Sequence, residues 1–145
     1  MGYVRAIREA VPHLIARGGG RIVNISGLAA RSTGSTVGSI RNAAVAALTK
    51  NLADELGRHG ISVVVVHPAL TRTEKTPGVL LAQAERLGVT VEDVERRISQ
   101  GNALGRFIDA REVADVVAFL ASPRAIAING DAIVVDGGIP GSIHY

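Results

Sequence analysis

Side chains that could carry acid–base or nucleophilic chemistry are few in this sequence and lie far apart. Tyr3 and Tyr145 stand at its two ends, and neither is followed four residues later by a lysine, the spacing that would place both on one helical face. The sequence has no cysteine and no Gly-x-Ser-x-Gly elbow, which excludes disulfides, thiolate metal sites and a serine hydrolase of that type. The histidines share no metal-site spacing, and we interpret all of them as structural or surface residues: His13, His59, His67 and His144.

Composition indicates a globular domain without a membrane or nucleic-acid partner. The 145 residues are 47% apolar and 3% aromatic, so we expect a single domain over residues 1–145 with an aliphatic core. The net charge is +3, but basic residues alternate with acidic ones, as in Glu95-Arg96-Arg97, which is typical of solvated helix faces. No apolar run approaches the about 20 residues of a membrane span. The absence of cysteine fits a reducing compartment, and the chain is predicted to be cytoplasmic.

Hydrophobic spacing predicts helices that alternate with strands. The four consecutive valines in the strand Ile61–His67 cannot alternate between core and solvent, so both faces of that strand should be covered, as in a parallel sheet. Pro12 predicts a kink or a break in the first helix. Helices are predicted over residues 2–17, 35–59, 79–87, 91–98 and 109–120, and strands over 21–26, 61–67 and 131–136. This order predicts an α/β fold with a parallel sheet of about three strands and flanking helices.

The longest predicted helix, residues 35–59, is rich in alanine, which would let a second backbone come close. Ser35 or Thr36 is its expected N-cap. Its expected buried stripe has apolar residues at a spacing of three to four: Val45, Leu48, Leu52 and Leu56.

The segment from Ala43 to Glu74, AAVAALTKNLADELGRHGISVVVVHPALTRTE, closely resembles the second half of a short-chain dehydrogenase/reductase. It runs from that family's long active-site helix through a strand into the cofactor loop. Gly105-Arg106-Phe107 and Gly130–Gly138 resemble later parts of the same fold. We therefore identify the chain as a member of the family, limited to its carboxy-terminal half. The resemblance implies a truncated Rossmann-like, doubly wound parallel sheet.

The family's catalytic residues are replaced in this sequence. In the family a tyrosine transfers the proton of the alcohol, a lysine one helical turn later lowers the pKa of that tyrosine, and a serine orients the carbonyl. The matching positions hold Gly38 for tyrosine, Asn42 for lysine, and Gly27 or its neighbour Ser26 for serine. Arg41 lies one place from the lysine position and should not reach the same face. The resemblance therefore implies an NAD(P)-dependent oxidoreductase of carbonyl or alcohol substrates that has no catalytic residue of its own and is inactive or incomplete as this chain.

The resemblance also implies NAD or NADP as the cofactor. Thr71 and Thr73 lie in the stretch that is similar to the family's Pro-Gly-x-x-x-Thr loop, and both are predicted cofactor contacts. The alternative for Thr73 is a turn residue. Ala69 stands where the family usually has glycine. The family's Gly-rich turn, whose backbone N–H groups hold the pyrophosphate at a helix N-terminus, has no counterpart here. We therefore expect weak dinucleotide binding by this chain alone.

Two hypotheses follow from these observations. In the first, the chain is an oxidoreductase by descent, either inactive or dependent on an amino-terminal half encoded upstream. In the second, it is a non-catalytic module that forms a homo-oligomer, a dimer or tetramer, through residues 2–17 and 35–59, or that pairs with an intact paralogue. Truncation would leave the strand Arg21–Ser26 as an exposed, apolar sheet edge, which favours an oligomer in the second hypothesis.

Overall fold

The computed structural model describes residues 1–141, which divide into two compact units. His144 and Tyr145 lie outside the described residues, so the interpretation of His144 stays a prediction. The single domain expected over residues 1–145 also stays a prediction. Unit 1 comprises Met1–His67 and Asp115–Val134, and unit 2 comprises Pro68–Ala114 and the residues from Val135 onward.

Helices and strands alternate along the chain as predicted. Two short 3-10 helices, Leu28–Ala30 and Gly57–His59, flank the long helix, and a third covers Pro123–Ala125. In chain order the main elements are α1 (Gly2–Ala16), β1 (Gly20–Ile25), α2 (Thr36–Leu56), β2 (Ile61–Pro68), β3 (Thr71–Arg72), α3 (Thr76–Leu87), α4 (Val91–Ser99), β4 (Ile108–Asp109), α5 (Ala110–Ala121) and β5 (Ala132–Val135). None of the helices in the described residues is long and apolar enough to cross a membrane.

The sheet of unit 1 has three strands in the order β1-β2-β5. β1 and β2 are parallel, with Gly20 opposite Ile61 and Ile25 opposite Val66. The valines of β2 are 0–3% exposed, because β2 lies in the middle with strands on both sides and both of its faces covered. This arrangement confirms the predicted parallel core of about three strands.

Helix α1 packs against the core and continues through Pro12. Val11 and Leu14 contact the buried cluster formed by α2 and β2, and Ile7 is buried. Of the two expected alternatives at Pro12, the break is therefore wrong, and the kink stays a prediction. Pro12 is exposed, so water can solvate the carbonyl that loses its helical hydrogen bond.

The buried face of α2 differs in part from the predicted stripe. Val45 and Leu56 are buried as expected, but Leu48 and Leu52 are only half-buried. The fully buried positions instead include small and polar residues: Gly38, Asn42, Thr49 and Ala53. Periodicity misjudged this face because a close helix–sheet contact selects small side chains, and Thr49 is held there by a 2.9 Å hydrogen bond from Asn24 Nδ2.

The turns that precede β1 and β2 touch backbone to backbone. Gly20 N–H donates to the Gly60 carbonyl at 3.1 Å, and Gly60 itself has a φ of +70°. Gly19 has a φ of +137°, and a Cβ added to it would lie 2.6 Å from the Gly60 oxygen. Only glycine fits at Gly19 in this conformation.

Unit 2 contains a feature that the sequence did not indicate. The stretch expected to be a polar loop after β2 begins with β3, which pairs in parallel with β4, Thr71 opposite Ile108 and Arg72 opposite Asp109. Beside this ladder, α3 and α4 share a small core: Leu80, Ala84, Val94 and Phe107. A two-residue strand is too short to leave a periodic pattern, which explains why it was missed.

Capping hydrogen bonds are present at the starts of α2, α4 and α5, and the one at Ser35 was predicted. Ser35 accepts a hydrogen bond from Gly38 N–H at 3.1 Å, and Thr90 accepts one from Asp93 N–H at 3.1 Å. Asp109 precedes the first residue of α5, and its N–H donates to Glu112 Oε2 at 2.8 Å, as in a capping box. The cap at Ser35 is therefore readable from sequence.

Candidate functional site

The first candidate region is the catalytic segment, residues 26–42, which runs from the end of β1 to the first turns of α2. Gly38 is buried there. A Cβ added at Gly38 would lie 2.8 Å from Ser35 Oγ and 3.3 Å from the Ala29 Cβ. Ser35 is fixed because it caps α2. The first carbon of any side chain at this position would therefore displace Ser35.

Asn42 forms a structural link in place of the family's lysine. It is 6% exposed, and its Nδ2 donates to the Gly27 carbonyl at 3.2 Å. Its Oδ1 accepts a hydrogen bond from Arg41 Nε at 3.2 Å. An amide carries no charge at any ordinary pH, so Asn42 does not offer the positive charge by which a lysine lowers the pKa of a neighbouring phenol. It connects α2 to the end of β1.

The serine position supplies one buried hydroxyl. Gly27 has no side chain, and a Cβ added there would lie 3.1 Å from the Asn42 Nδ2. The neighbouring Ser26 Oγ is buried and has no hydrogen-bond partner among the described residues. Ser26 can donate a hydrogen bond, but no base is bonded to it. The hydroxyl therefore lacks the partner base that acid–base chemistry would need.

Arg41 and Tyr3 do not replace the missing acid. Arg41 is exposed and bonds to its neighbour Asn42, as expected for a residue one place from the lysine position. The Tyr3 hydroxyl reaches from α1 to the Ile25 carbonyl at the end of β1. Sequence reasoning missed this contact, because it depends on how α1 packs against β1. No lysine joins Tyr3, so the described catalytic segment contains no matched acid and base.

The second candidate region is the threonine loop, residues 69–76 in unit 2. Thr76 is buried, and its Oγ1 accepts from Thr73 N–H at 2.8 Å. Thr71 Oγ1 donates to the Ala69 carbonyl at 3.0 Å. Thr73 Oγ1 accepts from Lys75 N–H at 3.3 Å, which leaves its own O–H free to donate. The loop thus holds Thr73 in a defined position with a usable donor.

Charged side chains brace the base of this loop. Arg72 Nη2 lies 2.6 Å from Glu95 Oε1, and its guanidinium lies 4.7 Å from the ring centre of Phe107. Elsewhere in unit 2, Arg106 forms a bidentate ion pair with Glu112, with N–O distances of 2.7 and 2.8 Å. The hydrogen bond from Arg106, followed by that from the Asp109 N–H, lowers the pKa of Glu112 to about 2. Both pairs are partly exposed, and only the pair of Arg72 with Glu95 involves a residue of the loop.

Residues 1–141 contain no group of three histidine or acidic side chains that could hold a metal ion. The candidate regions offer hydrogen-bond donors, and neither offers a paired acid and base. The arrangement can contact a polar ligand, but it lacks a positioned proton donor, whose loss costs about 10²–10⁴ in rate.

Comparison with known proteins places these regions in context. A family model described as enoyl-(acyl carrier protein) reductase matches residues 1–140. The short-chain reductase protein NovJ of Streptomyces niveus is 36% identical over 129 residues, which is 88% of this chain and 48% of that protein. The NADPH-dependent reductase BacG of Bacillus subtilis is 30% identical over 145 residues, which is 99% of this chain and 56% of that protein. The chain thus spans about half the length of the curated relatives that it matches.

Solved structures show the same fold. The L-sorbose reductase of Gluconobacter frateurii, crystallised with NADPH and L-sorbose, superposes with a TM-score of 0.89 at 27% identity. That match covers 97% of this chain and 55% of the reductase. Each comparison therefore extends over nearly all of this chain and about half of the other protein.

Proposed function

We propose a function for this chain from its family, since the chain belongs to the short-chain dehydrogenase/reductase family. The proposal is that it forms the carboxy-terminal half of an NAD(P)-dependent oxidoreductase of carbonyl or alcohol substrates. The observation that carries the proposal is the family match over residues 1–140, which includes the threonine loop. One relative named as an NADPH-dependent reductase and one structural neighbour crystallised with NADPH support the cofactor class. The chain contributes an incomplete site, which contacts the cofactor but does not by itself transfer the substrate proton.

Thr73 is the proposed first contact to the cofactor. Its hydroxyl hydrogen is not used within the loop, so it can donate to a carboxamide or phosphate oxygen. Thr71 is the proposed second contact, and it would act as an acceptor because its hydrogen already bonds to Ala69. A bound nicotinamide supplies or accepts a hydride. The residues present fit only that end of the cofactor, since the sequence has no Gly-rich turn for the pyrophosphate.

Calorimetric titration of the full chain with NADPH and NADH tests this proposal. We expect dissociation constants weaker than about 100 µM, because the chain offers few cofactor contacts. Thr73→Val should weaken binding about 2- to 12-fold through loss of one hydrogen bond, and Thr73→Ser should retain it. Thr90→Val, which removes a cap on α4 in the same unit, is the matched control. Equal binding by the wild type and Thr73→Val, or no heat at about 10 mM of either cofactor, would contradict the proposal.

A groove between α1 and α2 favours a second candidate function, self-association without catalysis. The groove has a volume of about 790 Å³ and is almost entirely apolar, with Val4, Ala44 and Leu48 among its lining residues. Val4 is 46% exposed there. We propose that α1 and α2, the elements predicted to form the oligomer, bury this groove against a second copy or an intact paralogue.

Light-scattering mass at micromolar concentration tests the second candidate. We expect a dimer or tetramer, and Val4→Lys should shift it to the monomer, because a charge would enter an apolar contact. Val79→Lys is the matched control, since Val79 is 48% exposed on unit 2. A monomeric wild type, alone and with a full-length relative, would refute this candidate.

We also propose a cytoplasmic location. The sequence has no cysteine, so the chain forms none of the disulfides that are common in proteins of oxidising compartments. Fractionation of cells that express the native gene would check this, and recovery in the secreted fraction would contradict it.

A further inference from the structure

The turn before β5 contains an asparagine that is followed directly by a glycine. Asn129-Gly130 is the one Asn-Gly pair in the sequence. Asparagine is among the chemically labile residues of proteins, and a following glycine increases its lability, because a residue without a Cβ lets its nitrogen approach the asparagine side chain. Where no contact restrains the backbone, this pair should therefore deamidate faster than any other asparagine of the chain.

The fold of unit 1 uses both residues of this pair, each for a different reason. Asn129 Oδ1 accepts a hydrogen bond from the Val63 N–H at 2.8 Å, so its side chain satisfies β2 at a level where β5 has not yet begun. Gly130 has a φ of +73°, and a Cβ added there would lie 3.1 Å from Lys50 Cδ and 3.2 Å from the Ala53 Cβ. The left-handed backbone and the close contact with α2 both favour glycine. The fold thus places a labile dipeptide at this turn.

The same contacts hold the pair in a geometry that does not react. Deamidation begins when the Gly130 nitrogen attacks the Asn129 Cγ. In the structure the Gly130 N–H instead donates to the Val63 carbonyl at 2.8 Å, while the Val63 N–H holds Asn129 Oδ1. Both residues of the pair are therefore bound to one residue of β2, and that residue is 0% exposed. The nitrogen can turn toward Cγ only after these hydrogen bonds open.

Burial does not explain this restraint, because Asn129 is exposed. Water can therefore reach the side chain and hydrolyse an intermediate formed there. Asn129 Nδ2 lies 3.5 Å from the Ala53 carbonyl, which is at the limit of a hydrogen bond. The two hydrogen bonds to Val63 are consequently the main restraint. Their opening should control the rate, which is then the product of the open fraction and the rate in the unrestrained chain.

We propose that Asn129 is a modification site, which deamidates only when the contact between β2 and the turn before β5 opens. The Gly130 nitrogen bonds to the Asn129 Cγ, the bond from Cγ to Nδ2 breaks, and Nδ2 leaves as ammonia with the proton of the Gly130 nitrogen. Water then opens the cyclic imide to aspartate or isoaspartate, without any oxidant or cofactor. Isoaspartate lengthens the backbone by one carbon, so residues 129 and 130 no longer match the two groups of Val63. The reaction thus irreversibly marks chains in which this turn has opened.

Peptide mapping by mass spectrometry tests the proposal on the full chain, incubated in mildly alkaline buffer with and without concentrated urea. In urea, Asn129 should be converted to a mixture of aspartate and isoaspartate. In buffer, the rate at Asn129 should be about 100-fold lower or less, because only the open fraction reacts. Asn51 is the internal control, since it is exposed but followed by leucine, and it should stay unmodified in both solutions.

Two variants test whether opening controls the reaction. Leu56 belongs to the same buried cluster as Val63, so Leu56→Ala should raise the rate at Asn129 in buffer about 10-fold or more. Leu81→Ala is the matched control, because Leu81 is 52% exposed, and it should leave the rate unchanged. If Leu56→Ala fails to fold, a urea series on the wild type decides, since the rate at Asn129 should rise with the open fraction.

The outcomes do not depend on cofactor binding, so they test this inference separately from the proposed function. Equal rates at Asn129 in buffer and in urea would overturn it, because the hydrogen bonds to Val63 would then give no protection. After the urea is removed, folded and unfolded chains can be separated by size. We expect isoaspartate at position 129 to be enriched about 10-fold in the unfolded fraction, as the loss of one hydrogen bond would produce. An equal distribution between the fractions would contradict an irreversible mark.

Discussion

The catalytic segment and the threonine loop differ in whether their polar groups are used in internal contacts. In the catalytic segment, Gly38 lies in a space closed by Ser35, and the Asn42 amide is committed to the Gly27 carbonyl. In the threonine loop, Thr73 keeps a free hydroxyl hydrogen on a backbone that Thr76 fixes. The polar groups of the first region are therefore used in packing, whereas the second region keeps one hydroxyl donor that no hydrogen bond within the loop uses.

The largest effect should come from restoring the tyrosine. Gly38→Tyr forces Ser35 Oγ away, so it combines overpacking with loss of the α2 cap, and we expect a loss of about 2–4 kcal/mol in the free energy of unfolding. Gly78→Tyr is the control, because no atom lies within 4 Å of a Cβ placed at Gly78. Urea unfolding followed by circular dichroism measures both. An unchanged midpoint for Gly38→Tyr would show that the segment can still accommodate the family's motif.

A smaller loss is expected when the link from α2 to β1 is removed. Asn42→Leu leaves the Gly27 carbonyl without its partner and should cost about 1–2 kcal/mol of unfolding free energy. Asn51→Leu on the same helix is the control, since Asn51 is exposed and bonds only to the Ala47 carbonyl. Equal midpoints for the two variants would mean that Asn42 carries no structural role.

The threonine loop should respond more weakly. Thr76→Val removes the acceptor of the Thr73 N–H, and water can replace it because Thr73 is exposed, so we expect about 0.5–1.5 kcal/mol. Faster amide exchange at Thr73 is the direct measurement. Thr76→Ser should restore slow exchange, and slow exchange in Thr76→Val would argue against an ordered loop.

The smallest effect concerns pH. Because the pKa of Glu112 is lowered to about 2 from its ordinary 4.5, its contribution to stability is complete above pH 4.5 and is lost as the pH falls toward about 2. Titration followed by NMR should show this carboxyl protonating near pH 2. Arg106→Gln should raise the pKa toward 4.5, whereas Arg97→Gln should not. A Glu112 carboxyl that titrates near pH 4.5 in the wild type would contradict the ion pair.

Much of the fold could be predicted from the sequence, because its signals are local. The valine run of β2 and the cap at Ser35 each correspond to one physical preference of nearby residues. The assignment of Gly38 and Asn42 to the family's catalytic positions stays a prediction from the sequence. The Tyr3–Ile25 contact could not be predicted, because it joins two elements through packing.

The glycine contact between the turns before β1 and β2 has a consequence for how such a chain diverges. Any side chain at Gly19 would meet the Gly60 oxygen at 2.6 Å, so folding alone eliminates substitutions there, whether or not the protein is an enzyme. No comparable steric filter protects a tyrosine or a lysine once catalysis is no longer selected. Substitutions should therefore accumulate first in the catalytic segment, whereas Gly19 should remain glycine.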